Sequence, residues 1–498
     1  MTTGIVEPKI SHKESAAIGM AWATASAILV KLMGFVSQFV LGWMLSKDDF
    51  GLYALAISVS SLVVPLQNGG IHKILITRCS EYESLAPDLF KLALVFNLFF
   101  MAVIFALAPL SEKLYSAPEL TGLLAIIGLS IPLRTPGAII RTKLLNDLRF
   151  KENAKISTAS SFVRNCSTIV FALAGFGPMS FVLPLLLVAL FENFAYWNVV
   201  RLWPRGGTLS WKIFKEVFLD ARWIMLGALV LTLSLQSDYL VIGLLEDKAT
   251  LGAYFFAFQL SISFSVLFTV GIDSVMLPSF SRLADDAERQ NSAFLKSFGM
   301  LSFLVAPVAV GTALFMEPLV HHLWAGKWDV AIISTQLLLL SLLTRMPLAL
   351  TQSFLESKGH WKSRSYIQAV DTAGIMIAAA VGAWFGGLLL IAISISLYRF
   401  AAAFIFSMIG CSVVGIGRRL VIELNGVVVL VALLAGMVAF LIAGTIVPQE
   451  NYFTESFLSF SLFMLFFGCY SYGFGLNKIK DIVSLFNNLK IRHCKHGL

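Results

Sequence analysis

Long hydrophobic runs separated by short polar breaks extend along almost the whole chain. Each run is about twenty residues or longer, which is the length that an α-helix needs to cross a bilayer. The runs are continuous rather than alternating, and this favours helices over barrel strands. The pattern predicts fourteen membrane spans, numbered in order: 17–44, 50–71, 89–111, 119–144, 154–176, 179–200, 214–245, 250–276, 293–316, 329–355, 365–385, 387–411, 420–446 and 455–476.

The composition agrees with a polytopic membrane protein. Hydrophobic residues make up 58% of the 498 residues and charged residues 13%, far more apolar than a soluble core of this length requires. The five cysteines have no paired spacing, so neither a metal site nor a disulfide framework is expected. No phosphate-binding loop, dinucleotide motif or nucleophile elbow occurs, so we expect a transporter without a cofactor rather than an enzyme.

Lysine and arginine predict the orientation. One set of ends and loops carries 27 basic residues and the opposite set carries 4, which predicts that both termini are cytoplasmic. The net charge of +8 follows from this asymmetry and requires no nucleic-acid partner. The tail 477–498 mixes basic and apolar residues at helical spacing, so it is predicted to be an amphipathic helix on the cytoplasmic membrane face.

The sequence repeats itself. Lys47, Gly51 and Tyr53 recur as Lys248, Gly252 and Tyr254, a shift of 201 residues. Later, Arg134-Thr-Pro136 recurs as Arg345-Met-Pro347 at a shift of 211. Repeated blocks in one order predict two pseudo-symmetric six-helix lobes around a central cavity. The predicted domains are an N-lobe at 1–205, a C-lobe at 206–415, two further spans at 416–476 and the tail at 477–498.

Basic side chains inside the predicted spans are candidates for anion binding. A charge within the bilayer is costly, so it is expected to face a cavity or a counter-charge. Lys31 and Arg399 lie nearest the middle of their spans. Arg134 and Arg345 occupy matching places, where they either hold a phosphate from two walls or satisfy carbonyls freed by the nearby prolines. The predicted anion-binding residues are Lys31, Arg134, Arg164, Arg345 and Arg399, although Arg164, like Arg222, has the alternative of reaching the cytoplasmic interface.

Acidic residues in the spans allow two interpretations. Asp238 and Asp273 either couple transport to a proton or cation, or act as fixed counter-ions for Arg222 or Arg399. Glu192 lies on span 6, near the place that Arg399 takes on span 12, which allows an ion pair between the lobes. The sequence leaves these alternatives open.

Several short motifs resemble one known family. Leu45-Ser-Lys-Asp-Asp-Phe-Gly-Leu-Tyr53, Asp238-Tyr-Leu-Val-Ile-Gly243, Leu251-Gly-Ala-Tyr254 and Leu277-Pro-Ser-Phe-Ser-Arg-Leu283 are together similar to Wzx-type polysaccharide flippases of the multidrug/oligosaccharidyl-lipid/polysaccharide exporter superfamily. The resemblance covers most of the chain. It implies two helical lobes that move undecaprenyl-pyrophosphate-linked oligosaccharides across the bacterial inner membrane by alternating access. It also implies membrane lipids, a polysaccharide polymerase and a chain-length regulator as candidate partners.

Other functions compete with this interpretation. A lipid II flippase of the same superfamily is the most serious alternative. A multidrug exporter of the same fold would favour acidic rather than basic intramembrane residues. A membrane polysaccharide polymerase would need a larger outer loop than the dozen residues near 317–328.

Overall fold

The computed structural model describes residues 12–77, 79–201, 211–271, 276–447 and 451–472. The regular structure within these ranges is helical, without strands. Asp273 and the predicted tail helix lie outside the described residues. The α-helices are α1 (His12–Met44), α2 (Lys47–Ser60), α3 (Ile71–Thr77), α4 (Tyr82–Tyr115), α5 (Leu120–Leu133), α6 (Thr135–Asn146), α7 (Phe150–Leu173), α8 (Met179–Val200), α9 (Trp211–Leu245), α10 (Lys248–Gly271), α11 (Leu277–Arg282), α12 (Ala287–Trp324), α13 (Ile332–Ser357), α14 (Trp361–Phe385), α15 (Leu388–Val413), α16 (Arg418–Val421), α17 (Val427–Ile446) and α18 (Tyr452–Tyr470).

Most predicted spans correspond to long apolar helices. In the described part of the chain, ten helices are long and apolar enough to cross a membrane, and the bent pair α5–α6 makes an eleventh. The other three predicted spans fall on α2, α7 and α10, which are also helical. α2 has only 14 residues, and α7 carries Lys151, Lys155 and Arg164. The all-α, multi-pass membrane architecture is therefore confirmed, whereas the number fourteen stays a prediction.

The chain forms two compact units. The first consists of Met1–Ser46 and Leu55–Thr232, and the second of Lys47–Ala54 and Leu233–Leu498. The division falls inside α9, and a short segment from the first half of the sequence belongs to the second unit. The lobe boundaries at 205 and 415 stay predictions.

A broken helix shapes the first unit. The axes of α5 and α6 differ by 45° where the helices meet. Pro136 has no backbone N–H, which interrupts the helical hydrogen-bond ladder. Asn193 of α8 enters this break: its Nδ2 donates to the Leu133 carbonyl at 2.8 Å, and its Oδ1 accepts from the Gly137 N–H at 2.7 Å. These two backbone groups would bond to each other in a continuous helix, so the amide side chain is inserted between them.

A buried aromatic cluster packs α11, α12 and α13 together in the second unit. The rings of Phe294 on α12 and Phe354 on α13 stack with centroids 4.2 Å apart, and Phe280 of α11 packs edge-on against Phe354. Val421 and Leu424, at the start of the predicted span 13, are buried in the same cluster. Span 13 is thus packed into the core of the second unit.

Two glycines mark the place where α2 and α10 touch within the second unit. A Cβ atom on Gly51 would overlap the carbonyl oxygen of Lys248, and a Cβ on Gly252 would overlap that of Lys47. The contact is reciprocal, because each helix presents its glycine to the first carbonyl of the other. The repeated glycines therefore have a steric reason: no larger residue fits at either place.

Candidate functional site

Arg399 and Asp238 form a buried ion pair in the second unit. Arg399 of α15 donates from Nη2 to Asp238 Oδ2 on α9 at 3.0 Å, and their side chains are 9% and 1% exposed. Tyr254 of α10 donates its hydroxyl to the same oxygen at 2.8 Å. The Tyr239 N–H lies 3.1 Å from Asp238 Oδ1, and the Arg399 guanidinium lies 4.7 Å from the centroid of the Phe258 ring.

In this arrangement Asp238 and Arg399 are each other's counter-ion. Both oxygens of the carboxylate accept hydrogen bonds, and the guanidinium is held between a carboxylate and an aromatic face. Such a buried pair is expensive to break, because either partner alone would be an uncompensated charge. The geometry therefore favours the counter-ion interpretation of Asp238, with Arg399 rather than Arg222 as its partner.

Arg345 is also paired. Its Nη1 lies 2.7 Å from Oδ2 of Asp371 on α14, and the Asp371 side chain is 1% exposed. The sequence pattern does not indicate Asp371 as the partner of Arg345. The Arg345 charge is therefore compensated within the second unit.

Arg134, the counterpart of Arg345 in the repeat, has a different environment. It lies between α5 and α6 in the first unit, and its Nε is buried with no hydrogen-bond partner among the described residues. The charges of Glu192 on α8 and Arg164 on α7 act on it. No carboxylate oxygen in the described chain lies within 4.0 Å of its guanidinium. Asn193, and not Arg134, bonds the Leu133 carbonyl and the Gly137 N–H at the break.

A single substitution between the repeats explains the contrast. At the shift of 211 that aligns Arg134 with Arg345, Asp371 aligns with Ser160. Ser160 is 5% exposed, and its Oγ has no hydrogen-bond partner among the described residues. The second unit thus neutralises its arginine with a buried carboxylate, whereas the first unit has a neutral hydroxyl at the equivalent sequence position.

The remaining predicted site residues are dispersed. Lys31 on α1 and Arg164 on α7 are exposed, and Glu192 on α8 is half-buried. Arg222 on α9 is exposed. Asp273 lies outside the described residues, so its predicted role stays a prediction.

Some important polar residues were missed in the sequence. Asn193 and Asn425 are single amides in apolar runs, and nothing in their spacing indicates a role. Tyr254 belongs to the sequence repeat, but the repeat does not indicate that its hydroxyl donates to Asp238. The exchange of Asp371 for Ser160, in contrast, is visible once the repeat is extended by a few residues. This difference between the two copies of the repeat can therefore be found from the sequence alone.

A comparison with family models shows which protein family the chain belongs to. A family model described as "Polysaccharide biosynthesis protein" matches residues 40–333. This match includes more than half of the sequence. The chain belongs to this family. The predicted resemblance to polysaccharide flippases is therefore confirmed at the level of the family.

Relatives in the polysaccharide biosynthesis family match most of the chain. It is 26% identical over 370 residues to the succinoglycan biosynthesis transport protein ExoT of Rhizobium meliloti (strain 1021), covering 73% of this chain and 74% of the relative. It is 22% identical over 393 residues to the lipopolysaccharide biosynthesis protein WzxC of Escherichia coli (strain K12), covering 76% and 79%.

A solved structure agrees with the fold. The chain superimposes on a lipid II flippase, MurJ, in an inward closed conformation with a TM-score of 0.71. The match covers 90% of this chain and 98% of that structure at 12% identity. At this identity the likeness concerns the fold alone, and it confirms the predicted transporter architecture.

Proposed function

We propose that this protein is a flippase for undecaprenyl-pyrophosphate-linked oligosaccharide repeat units. It moves them from the cytoplasmic to the outer leaflet of the bacterial inner membrane by alternating access, for exopolysaccharide, capsule or O-antigen biosynthesis. Membership of the polysaccharide biosynthesis family and the similarity to proteins named for succinoglycan transport and lipopolysaccharide biosynthesis support this function.

The observation that carries the proposal is that Arg134 forms no close ion pair with a carboxylate in the described part of the chain, although the charge of Glu192 acts on it. A cation in an apolar surrounding is stabilised by an anion, and a guanidinium holds phosphate oxygens through two parallel hydrogen bonds. Among the described residues, the Nε atoms of Arg134 and Arg399 are both buried without a hydrogen-bond partner. Arg345 and Arg399 are each paired with a buried aspartate, whereas Arg134 has no ion pair of this kind. We therefore assign pyrophosphate binding first to Arg134.

The other predicted cations have secondary roles in this proposal. Arg164 acts electrostatically on Arg134 and adds positive charge near it. Lys31 is exposed on α1 and is the second candidate for contacting the pyrophosphate. Arg345 and Arg399 serve mainly to compensate Asp371 and Asp238, so their contribution to the substrate is through the shape of the second unit.

Lipid binding by purified protein tests the assignment. The full chain in nanodiscs is titrated with undecaprenyl pyrophosphate and, as the matched control, with undecaprenol, which has no phosphate. Losing a charge-assisted hydrogen bond costs about 1.5–3 kcal/mol, so Arg134→Ala is expected to weaken binding of the pyrophosphate roughly 10- to 100-fold. Undecaprenol binding should not change. Equal affinity of wild type and variant for the pyrophosphate would remove Arg134 from the site.

A second variant tests the asymmetry between the units. Ser160→Asp gives the first unit the carboxylate that the second unit has at the equivalent position. This change is expected to abolish pyrophosphate binding and polysaccharide export while the protein remains folded in the membrane. Ser160→Ala is the control and should behave like wild type. Normal export by Ser160→Asp would contradict the proposal.

The substrate class is tested with reconstituted vesicles. We expect translocation of undecaprenyl-pyrophosphate-linked repeat units and no translocation of lipid II. The opposite preference would replace the proposed substrate with the peptidoglycan precursor.

Orientation and partners complete the proposal. Both termini are placed in the cytoplasm because of the 27 to 4 distribution of basic residues. A tag at either terminus should therefore be protected from protease added outside spheroplasts. A polysaccharide polymerase and a chain-length regulator are the protein partners expected from the function, and crosslinking in cells tests both.

A further inference from the structure

A proline interrupts the hydrogen bonding of α13 close to Arg345. Pro347 has no N–H, so the carbonyl of Leu343, four residues earlier, lacks the donor that a helix normally provides. α13 is nevertheless continuous from Ile332 to Ser357. An unsatisfied carbonyl in an apolar environment costs free energy comparable to a lost hydrogen bond, so another donor is expected.

Asn425 supplies that donor from outside the sequence repeat. Its side chain is buried, and its Nδ2 donates to the Leu343 carbonyl of α13 at 3.1 Å. The same nitrogen lies 3.1 Å from Ser302 Oγ on α12. The Ser302 hydroxyl donates to the Phe298 carbonyl at 2.9 Å, which leaves its oxygen available to accept from Asn425. Both hydrogens of one amide thus connect span 13 to α12 and α13.

The backbone around Asn425 departs from a regular α-helix. Residues Ile422–Gly426 form a π-helical turn immediately before α17. A π-turn inserts one residue into a helix and changes the direction of the side chains that follow, and such turns are frequent at functional sites. A Cβ built on Gly426 would lie 3.2 Å from Cζ of Phe404 on α15, so the turn packs closely against that helix.

The first unit also has an amide beside the equivalent proline, on its own sixth span, but that amide bonds the Leu133 carbonyl and the Gly137 N–H rather than the carbonyl four residues before the proline. There Asn193 of α8 occupies the break at Pro136. At the shift of 211, the position of Asn193 corresponds to Phe404. The second copy of the repeat therefore has a phenylalanine where the first copy has the amide, and the amide comes from Asn425, on the π-turn that packs against Phe404.

We propose that Asn425 is a positioning residue: it replaces the backbone donor that Pro347 removes and thereby fixes α13, and Arg345 on it, in the second unit. Span 13 then stabilises α13 in the second unit, although span 13 lies outside the repeat. The export readout below rests on the proposed function, whereas the thermal midpoint does not depend on which substrate is transported.

A double-mutant cycle between Asn425 and Pro347 tests this inference. Asn425→Ala is expected to lower the midpoint of thermal unfolding of the purified full chain and to reduce polysaccharide export at least tenfold. Pro347→Ala restores a backbone N–H for the Leu343 carbonyl. The double variant should recover both the midpoint and export to within about twofold of Pro347→Ala alone. If Asn425→Ala does not accumulate in the membrane, accumulation of the double variant is the rescue.

Two controls make the outcome specific. Ser302→Ala removes the other hydrogen-bond partner of Asn425, which a new N–H at position 347 cannot replace, so its effect should simply add to that of Pro347→Ala. Pro136→Ala, at the equivalent break of the first unit, should not rescue Asn425→Ala. A double variant as defective as Asn425→Ala, or equal rescue by Pro136→Ala, would overturn the proposal.

Discussion

The Nη1 atom of Arg345 lies 2.7 Å from Oδ2 of Asp371, and the aspartate is almost completely buried. Among the described residues, the equivalent arginine of the first unit, Arg134, has no such partner, and the repeat has Ser160 in place of the aspartate. Duplication has therefore produced two similar arginines with different electrostatic environments. Of the two, only Arg345 has a buried carboxylate as its ion-pair partner in the described part of the chain.

Breaking the Arg345–Asp371 pair should destabilise the second unit. Arg345→Ala leaves a buried carboxylate without compensation, and we expect it to lower the free energy of unfolding by about 3–5 kcal/mol. Removing both partners in Arg345→Ala/Asp371→Ala should restore part of this loss. The measurement is denaturant unfolding of the purified protein. Arg364→Ala is the control, because its ion pair with Glu356 is more exposed and is expected to contribute about 0–1 kcal/mol.

The Asp238 cluster should show graded sensitivity. Tyr254→Phe removes one hydrogen bond to the carboxylate and leaves the ion pair with Arg399, so a loss of about 1.5–3 kcal/mol is expected. Asp238→Ala leaves the buried guanidinium unpaired and should cost about 3–5 kcal/mol. Tyr366→Phe, at a side chain exposed in the structure, should have no effect. The reverse order of the two effects would contradict the assignment of Arg399 and Asp238 to each other.

The glycine contact between α2 and α10 predicts intolerance to a single methyl group. Gly51→Ala or Gly252→Ala places Cβ against a backbone carbonyl, which cannot rotate away. We expect each to lower the free energy of unfolding by about 1–3 kcal/mol or to reduce the amount of folded protein. Gly34→Ala in α1 is a matched control, because no atom lies within 4 Å of the added Cβ. It should be neutral or stabilising by about 0.5–1 kcal/mol, since alanine favours a helix more than glycine does.

Asp247 should contribute to stability in a pH-dependent manner. It lies between α9 and α10, and its Oδ1 accepts a hydrogen bond from the Thr250 N–H at 2.8 Å, as in a helix N-cap. Hydrogen bonds from the Thr250 side chain and backbone lower the pKa of Asp247 below its ordinary value. A carboxyl whose pKa is lowered on folding stabilises the protein above its unfolded pKa of about 3.9, and the effect is lost as the pH falls through the lower folded value.

The variant Asp247→Ala measures this contribution. At neutral pH it should be less stable than wild type by about 1 kcal/mol, the usual effect of an N-cap. Thermal unfolding from pH 7 to pH 3 should show the difference shrinking only below about pH 4. A difference that instead grew toward acidic pH would have the wrong sign for a lowered pKa.

The sequence predicts the helices well because a membrane span is recognised from the hydrophobicity of consecutive residues. It also reveals the repeat and the charged residues inside the spans. It does not show which charges meet: Arg399 and Asp238 are 161 residues apart, and only the packing of α9 against its neighbours brings them together. The roles of Asn193 and Asn425 are likewise not visible in the sequence, because each side chain bonds backbone groups at an interrupted turn of another helix.

The reciprocal contact of Gly51 with Lys248 and of Gly252 with Lys47 has the form of an isologous interface, in which the same surface meets itself. The surface is self-complementary at this point, because the same Lys-x-x-x-Gly sequence forms both of its sides.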